Sequence, residues 1–585
     1  MSLVFMSGWE TQKGMDSWLW TQSEYAGASG LSTTIRRGPS YAFYFANANE
    51  YIRRVLPTSS DEVYLQVCFY WTSAPTAGTI LRFGKNVNIY FTLYVDANKF
   101  INIYTGDTVT LRATGSTIIQ INRWYVVEVY FKRNASGTIA VKIDGVNDCS
   151  WSGDTTLSAS TITAISRMKL ESGAFGVDTI GTLPNWTVTG SPIASTTYLK
   201  EGSNSMLASG TSQYIAINDA DLPAGYLLKN GDVTQQGTFM YWHKPTSVPG
   251  ASTYWPTFQK YDYDGNNVCF AHEMQSGGVL NVQWCTGSSG HTLETTATKT
   301  LVPGGWYHIS WSFNGPGKRW DMRVYDLFNG SIAAYSRNCT NVLRTNCTAP
   351  YRLGVASPGF YDDLIMFNSV LPNWTQDCIR SLYYDPLFKG QDVHSIFQTN
   401  WMLEIGSTVA GTYVDDVIVN DTNGSINNSW VDRAHIVLLK TVGPGTYSGF
   451  TLSETSPIAG AELVKRIPAT TLDFLYTNAA GTCHSFTMYD PPLKTVDIMA
   501  VMSTACLWRS SAAAGVTYQL MMKAGSTTYM SSNFTIPQAP TQENYVLYAY
   551  TNPYPDLKFC IFESDTGSLF SDADLDTLEL GIKVI

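Results

Sequence analysis

Arg123-Trp124-Tyr125-Val126-Val127-Glu128-Val129-Tyr130-Phe131 returns as Gly305-Trp306-Tyr307-His308-Ile309-Ser310-Trp311-Ser312-Phe313, with Trp306 standing 182 residues after Trp124. Both stretches alternate bulky positions with small or polar ones, as a strand with one face on a core requires. Ile143-Asp144-Gly145 aligns with Tyr325-Asp326-Leu327 at the same offset of 182. Val177-Asp178-Thr179-Ile180 matches Asp362-Asp363-Leu364-Ile365 at 185, and Leu183-Pro184-Asn185-Trp186-Thr187 recurs as Leu371-Pro372-Asn373-Trp374-Thr375 at 188. A solenoid unit runs to roughly 20 to 50 residues, so a period this long means a duplicated, independently folding module.

The chain has 585 residues, room for three to four domains that each bury a full core. Charged residues make up 14% against a usual share of about 25%. Aromatics reach 13%, and Gly, Ser, Thr and Asn abound, the composition of short strands joined by tight turns. Val87 to Tyr94 and Lys99 to Tyr104 flank the turn Val95-Asp96-Ala97-Asn98, a hairpin signal. In the second copy Val268 to Gln275 and Val279 to Cys285 close on Ser276-Gly277-Gly278. Each copy reads as an antiparallel β-sandwich, which makes the chain all-β.

An Asp-Gly-type hairpin, a Trp-Tyr strand and a last strand carrying Asp-Asp before apolar residues resemble the laminin-G or concanavalin-A-like lectin/glucanase jelly roll. Gly305-Trp306-Tyr307-His308 followed by Tyr361-Asp362-Asp363-Leu364-Ile365-Met366-Phe367-Asn368 carries that resemblance most specifically, whereas Asp178 in the first copy lacks an acidic neighbour before it. The opening Met1 to Glu10 resembles tailed-bacteriophage structural proteins of this fold, and the stretch Tyr413 to Trp430 resembles their shared junction. Gly525 to Tyr529 and the terminal Leu575 to Ile585 look like the β-domain that follows in such proteins. The resemblance implies a virion protein, made in the host cytoplasm and displayed on the outer surface of the particle.

The domains expected are a laminin-G/concanavalin-A-like sandwich at 1–182 and a second at 183–385, each core punctuated by Leu-Pro-Asn-Trp-Thr, where proline ends a strand. Met402 to Gly406 and Tyr413 to Asp416 form a third copy of the closing hairpin with no Trp-Tyr strand before it. A lone hairpin buries no face. It packs either on the C-terminal region or on domain one, the latter making domain two an insertion. The expectation adopted is a junction at 386–433 that packs on a neighbouring domain, then a C-terminal β-sandwich of its own at 434–585. The apolar Val496 to Trp508 segment there is the candidate for self-association. Ser571 to Gly581 reads as a short helix, with Ser571 as cap and Gly581 as stop.

Ten cysteines are too few for a disulfide scaffold, and without a Cys-x-x-Cys pair zinc is not expected. Cys269 and Cys285 stand equally far from Gly277 and should face each other across that hairpin, as reduced thiols in the plainer reading. Cys339 and Cys347, in twin Asn-Cys-Thr segments, are read the same way. Net charge is −10 with no basic run, which excludes a nucleic-acid surface. No apolar stretch approaches the roughly 18 residues that cross a bilayer, no secretion signal is read at Met1 to Gly8, and no membrane insertion is expected.

Retaining glucanases hold two carboxylates about 5.5 Å apart, and the family's Glu-x-Asp-x-x-Glu spacing is missing; the nearest pair of glutamates is Glu454 and Glu462. No catalytic residue is nominated, and His308 is read as a strand residue. Asp262, Asp264 and Asn266 offer oxygens that could wrap calcium, but an Asx-turn is the plainer reading and no cofactor is expected. Trp124, Trp306, Asp178, Asp363 and Asp416 are expected to be structural, the last two as hydrogen-bonded acids at the start of closing strands. The sequence reading is therefore a non-enzymatic particle protein, as head decoration or tail or fibre component. Its expected partners are other virion proteins and its own copies, a trimer being favoured, and the alternative is an adhesin that recognises host surface glycans.

Overall fold

The computed structural model describes the chain apart from residues 1–2, 8–20, 23–28, 38–40, 87, 107–109, 157–163, 170–176, 179–185, 196–204, 211, 233–234, 252, 263–266, 287–291, 328–330, 345, 356, 384–391, 424–426, 432, 435, 437–440, 453–474, 478, 489–497, 499, 507–515, 537–556 and 563–568. Nearly all of what is described is antiparallel strand, divided between two compact units. The first comprises Met1–Thr161, Tyr384–Phe388 and Ser395–Ile585; the second comprises Ile162–Tyr383 and Lys389–His394. No described helix is long and apolar enough to cross a membrane.

In the first unit one sheet runs in the order Val146–Gly153, Gly137–Ile143, Trp124–Lys132, Glu62–Trp71, Thr412–Asp421, Ala42–Phe45, Gly30–Ser32. Its companion runs Thr110–Thr114, Ile101–Thr105, Asn88–Val95, Gly78–Lys85, Trp401–Gly406, Tyr51–Val55, Thr21–Gln22. Alternate residues of both sheets meet in one core, with Phe69, Trp71 and Val129 from the first sheet against Phe83, Phe91, Trp401 and Leu403 from the second. Trp401 lies over Phe83 with ring centroids 4.9 Å apart.

The second unit repeats this order strand for strand. Ser331–Asn338, Arg319–Asp326, Tyr307–Asn314, Gln236–Pro245 and Gly359–Phe367 form the body of one sheet. Thr292–Thr300, Val279–Thr286, Asn267–Gln275, Tyr254–Asp262, Tyr351–Leu353, Tyr214–Ile217 and Thr187–Thr189 form the other. The Trp-Tyr strands hold the same place in both units, each paired on one side with the long central strand and on the other with the next hairpin strand.

The strand pairing corrects three expectations. Trp401–Gly406 and Thr412–Asp421 pair with strands of the first unit, where they match Tyr351–Leu353 and Gly359–Phe367 of the second. The second unit is thus inserted, in chain order, ahead of the hairpin that closes the first. The boundary expected at Thr182 moves back, because Ala164–Lys169 pairs with Gly359–Phe367 and Val177–Asp178 pairs with Ala164–Lys169. Val177–Asp178 is therefore not a closing strand, and the true counterpart of Asp362-Asp363 is Asp415-Asp416. Leu3–Ser7 pairs with Thr412–Asp421, so two stretches that carry the phage resemblance are hydrogen-bonded to each other.

The repeated pentapeptide does not repeat in structure. Asn373–Leu382 is a helix, with Pro372 just before it, whereas Thr187–Thr189 is a strand. The residues downstream of each copy decide between the two. Gln376-Asp377-Cys378-Ile379-Arg380 continues a helix readily, while Val188-Thr189 favour a strand and Gly190 with Pro192 would break any helix. Trp186 is buried in the second unit's core. The helix lies on the outer face of its sheet: Gln376 Nε2 donates to Ser312 Oγ at 2.8 Å, and Ser310 donates to Gln376.

The C-terminal region forms a six-stranded sheet built from Thr441–Ser448, Cys483–Met488, Glu579–Val584, Val516–Ala524, Thr527–Met530 and Phe534–Ile536. It has a core of its own around Leu520, Met522, Phe562 and Phe570. A small cluster of Leu3, Ile418, Val431 and Ile561 joins it to the first unit's closing strand. Within the Val496 to Trp508 segment the structure describes the strand Val501–Cys506, paired with Leu557–Phe562. The helix expected over Ser571 to Gly581 is one turn, Asp572–Leu575, and Gly581 lies in the last strand. Glycine is needed there because a Cβ would stand 2.2 Å from the His484 carbonyl oxygen.

Candidate binding faces

The seven-stranded sheet of the second unit turns one set of residues inward and the alternate set outward. Ile215, Leu353, Phe258 and Val282 make an inward row that sits in the core. The next row, Ala216, Arg352, Gln259, Ala271 and Gln283, lies on the outward face and crosses five neighbouring strands. Glu273 and Asn281, paired with each other one row further along, face the same way. The face is polar, yet its floor is closed to solvent: Gln259 is 0% exposed, Asn281 1% and Glu273 6%.

Polar groups so buried normally find partners, because an unpaired one keeps its full desolvation cost. Both amide atoms of Gln259 and the Oδ1 of Asn281 have none. Gln283 Nε2 donates to Glu273 Oε2 at 2.5 Å. Burial pushes the Glu273 carboxyl up to about 7, the Gln283 hydrogen bond pulling the other way. At the rim, Arg352 donates to the Tyr261 carbonyl at 3.1 Å and lies over the Tyr214 ring at 5.7 Å. Arg352, Gln283, Tyr214 and Tyr261 are half-buried.

The matching row of the first unit is Arg53, Glu404, Arg82, Thr92 and Tyr104. It carries charge instead of amides. Arg53 Nε and Arg82 Nη1 reach the two oxygens of Glu404 at 2.5 and 2.6 Å, and Arg53 also lies over Tyr51 at 3.9 Å. This row satisfies itself.

The other sheet of the first unit presents a row of rings. Tyr44, Tyr413, Tyr70 and Trp124 occupy four neighbouring strands, with successive centroids 4.9, 6.0 and 5.5 Å apart. All four are half-buried. The corresponding surface of the second unit is covered: Trp242, Trp306 and His308 are buried with Tyr383, which comes just after the helix.

Each closing strand is kinked at its paired acids. Asp363 and Asp416 adopt φ of 37° and 45°, where the register against the central strand slips. The preceding acid caps the kink, Asp362 Oδ1 accepting from the Asp363 N–H and Asp415 Oδ1 from the Asp416 N–H, both at 2.9 Å. Tyr383 then donates to Asp363, and Arg37 bonds Asp416. These acids sit within their strands, not at their starts as expected, because the bulge turns both carboxylates toward groups outside the sheet.

Among the residues singled out in the sequence, Trp306 is buried and Trp124 ends the ring row. Asp178 lies in a two-residue strand whose side chains are not among the described ones. Asp264 and Asn266 fall outside the described residues, and the Asp262 side chain does too. No cluster of three or more potential metal ligands occurs among the described residues. Cys269 and Cys285 are buried free thiols flanking the Phe270–Trp284 pair. Cys269 shares a side-chain hydrogen bond with Cys347, not foreseen in the sequence. His308 is buried, and burial pulls its pKa down to about 3. Gln259, Asn281, Gln283 and Arg352 carry no motif; only the cross-strand register brings them together.

No protein-family model matches the chain, and no curated protein matches it. Among solved structures it is similar to domain 4 of AbnA, a GH43 extracellular arabinanase from Geobacillus stearothermophilus in complex with arabinotriose, at 14% identity over 37% of this chain and 97% of that one, with a TM-score of 0.25. It is also similar to the CBM40 of the Ruminococcus gnavus IT-sialidase, at 12% identity over 30% of this chain and 95% of that one, TM-score 0.23. A third similarity is to tailspike protein 2 of the Escherichia coli O157:H7 bacteriophage CAB120, at 13% identity over 37% of this chain and 30% of that one, TM-score 0.27.

Proposed function

We propose that this chain is a non-enzymatic structural protein on the outside of a tailed-phage particle, a head decoration or a tail or fibre component. In this reading its two units are laminin-G/concanavalin-A-like sandwiches that stabilise the particle by contact with virion neighbours and with sister copies, a trimer being favoured. The observation that carries it is the half-buried ring row Tyr44, Tyr413, Tyr70 and Trp124. Its twin surface lies under a helix, and tyrosine and tryptophan left at a sheet surface are what protein contacts enrich. The phage resemblance of the chain's opening and junction supports the same placement.

Gold-labelled antibody against the purified chain is expected to decorate intact particles, and light scattering to find an oligomer that Tyr70→Asp weakens. Unlabelled particles, with label confined to infected-cell debris, would overturn the reading. A second reading, a glycan-binding adhesin, is favoured by the unpaired amides on the second unit's sheet face.

A further inference from the structure

We propose that the second unit holds an uncharged polyhydroxylated ring, one sugar residue of a glycan, in the hollow above Ala271 between Gln259 and Gln283. The proposal deepens the adhesin reading and rests on it. The register makes the hollow. Ala271 is flanked in its row by Gln259 on one strand and Gln283 on the other, so a methyl group lies between two long amides. Two strand spacings separate those amides at their base, roughly 9 to 10 Å, room for one saturated ring laid across the strands.

The chemistry of the walls selects the ligand. Gln259, fully buried, keeps both an amide donor and an acceptor unpaired, and Asn281 keeps an acceptor. A hydroxyl group is donor and acceptor at once, so neighbouring hydroxyls on a ring match such a set, which a purely anionic or purely cationic group does not. Glu273, held by Gln283, offers a further carboxyl at the same end. Half-buried Tyr214 and Tyr261 at the rim supply faces for the C–H side of a ring. An anion is the poorer fit: the cation on this row, Arg352, is already engaged by the Tyr261 carbonyl and the Tyr214 ring, and a carboxyl stands beside the hollow.

The test uses the full chain, saturation-transfer NMR against glucose, galactose, mannose, N-acetylglucosamine and their short oligomers, and a parallel set of sialylated and uronate oligomers. Gln259→Met removes the amide at nearly constant volume, Ala271→Leu fills the hollow, and exposed Val302→Thr serves as control. Expected are binding of at least one neutral sugar, a loss of tenfold or more in affinity in either of the first two variants, and no change in the third. Gln259→Met, freed of an unpaired amide, should melt no lower than the wild type, so its loss of binding is not loss of fold. Sugar binding that survives both substitutions would keep the adhesin reading and sink this site. Binding of acidic oligomers alone, or of no sugar by wild-type protein, would overturn the proposal, while antibody labelling of particles reports on the virion reading independently.

Discussion

Arg37 and Asp416, 379 positions apart in the chain, are joined by an ion pair of 2.5 Å with the Asp416 side chain wholly buried. Arg37 also donates its backbone N–H to Asp415 Oδ2 at 2.9 Å and its guanidinium to the Ala434 carbonyl at 3.1 Å. The Ile436 N–H reaches Asp416 Oδ1 at 2.9 Å. One arginine thereby ties an early loop, the kinked closing strand and the start of the C-terminal region. In the second unit the same kink is tied by a neutral tyrosine, Tyr383.

Arg37→Met leaves the Asp416 carboxylate buried without its cation, a change that typically costs about 3–5 kcal/mol. The urea midpoint of the first unit should fall accordingly. Asp416→Asn added to Arg37→Met should recover part of the loss, because the double variant no longer buries an unpaired charge. A double variant no better than the single would show that the arginine's packing, not its charge, matters.

The second unit should have a pH dependence with a turning point. Burial lowers the pKa of His243, His272 and His308 from 6.5 to about 3, and raises that of Glu273 from 4.5 to about 7. Between pH 4.5 and 6.5 the unfolded chain binds about three more protons through its histidines and the folded chain one more through Glu273. Stability therefore rises with pH there by the weight of two protons, at most roughly 2 to 3 kcal/mol per pH unit. From 6.5 to 7 only Glu273 remains and the slope turns weakly downward. Hydrogen exchange of the second unit's strands from pH 4.5 to 8 checks this. Glu273→Gln should steepen the rise and abolish the fall; an unchanged profile would mean that the Glu273 carboxyl is solvated.

Strand content was legible in the sequence because alternation and turn chemistry are local. Asp96 Oδ1 accepts from the N–H groups of Asn98 and Phe100, and the hairpin stands where the turn residues put it. Domain order was not legible, since nothing in Trp401–Gly406 states which sheet it joins; only the unpaired edges of Gly78–Lys85 and Tyr51–Val55 do. The helix Asn373–Leu382 was hidden by a pentapeptide that reads the same before a strand. The polar face escaped for the same reason as the domain order: Gln259 and Gln283 become neighbours of Ala271 only after three strands have found their register.

Gly278 is the residue on which the hairpin register of that face turns. Its φ is 84°, and a Cβ would stand 2.2 Å from the Leu301 carbonyl oxygen, which accepts no side chain so close. The Leu301 N–H donates to the Gly278 carbonyl at 2.8 Å, so the turn cannot shift without losing that bond. Gly278→Ala should destabilise the second unit by about 1–3 kcal/mol. Gly277→Ala, with φ of 75° but open space around it, should cost less. Equal losses in thermal unfolding would rule out the contact with Leu301 as the cause.

Glu579 gives the C-terminal sheet an acid limit of its own. Burial alone would raise its pKa, but hydrogen bonds from Ser485 Oγ at 2.6 Å, the Thr446 N–H at 2.7 Å, Thr446 Oγ1 at 2.5 Å and Lys523 Nζ at 3.1 Å outweigh it and hold the carboxyl down to about 2. A carboxylate depressed by folding stabilises fully above its unfolded pKa of 4.5 and loses that contribution as pH falls toward 2. With solvent screening allowed for, the contribution is about 1–2 kcal/mol. Glu579→Gln should flatten the acid limb between pH 4.5 and 2 in hydrogen exchange of Cys483–Met488 and Glu579–Val584, while leaving the second unit's profile unaltered. Ser485→Ala should raise the pKa toward its ordinary value and shift the same limb upward in pH. Acid limbs that coincide in wild type and both variants would place the titrating group elsewhere in the tail.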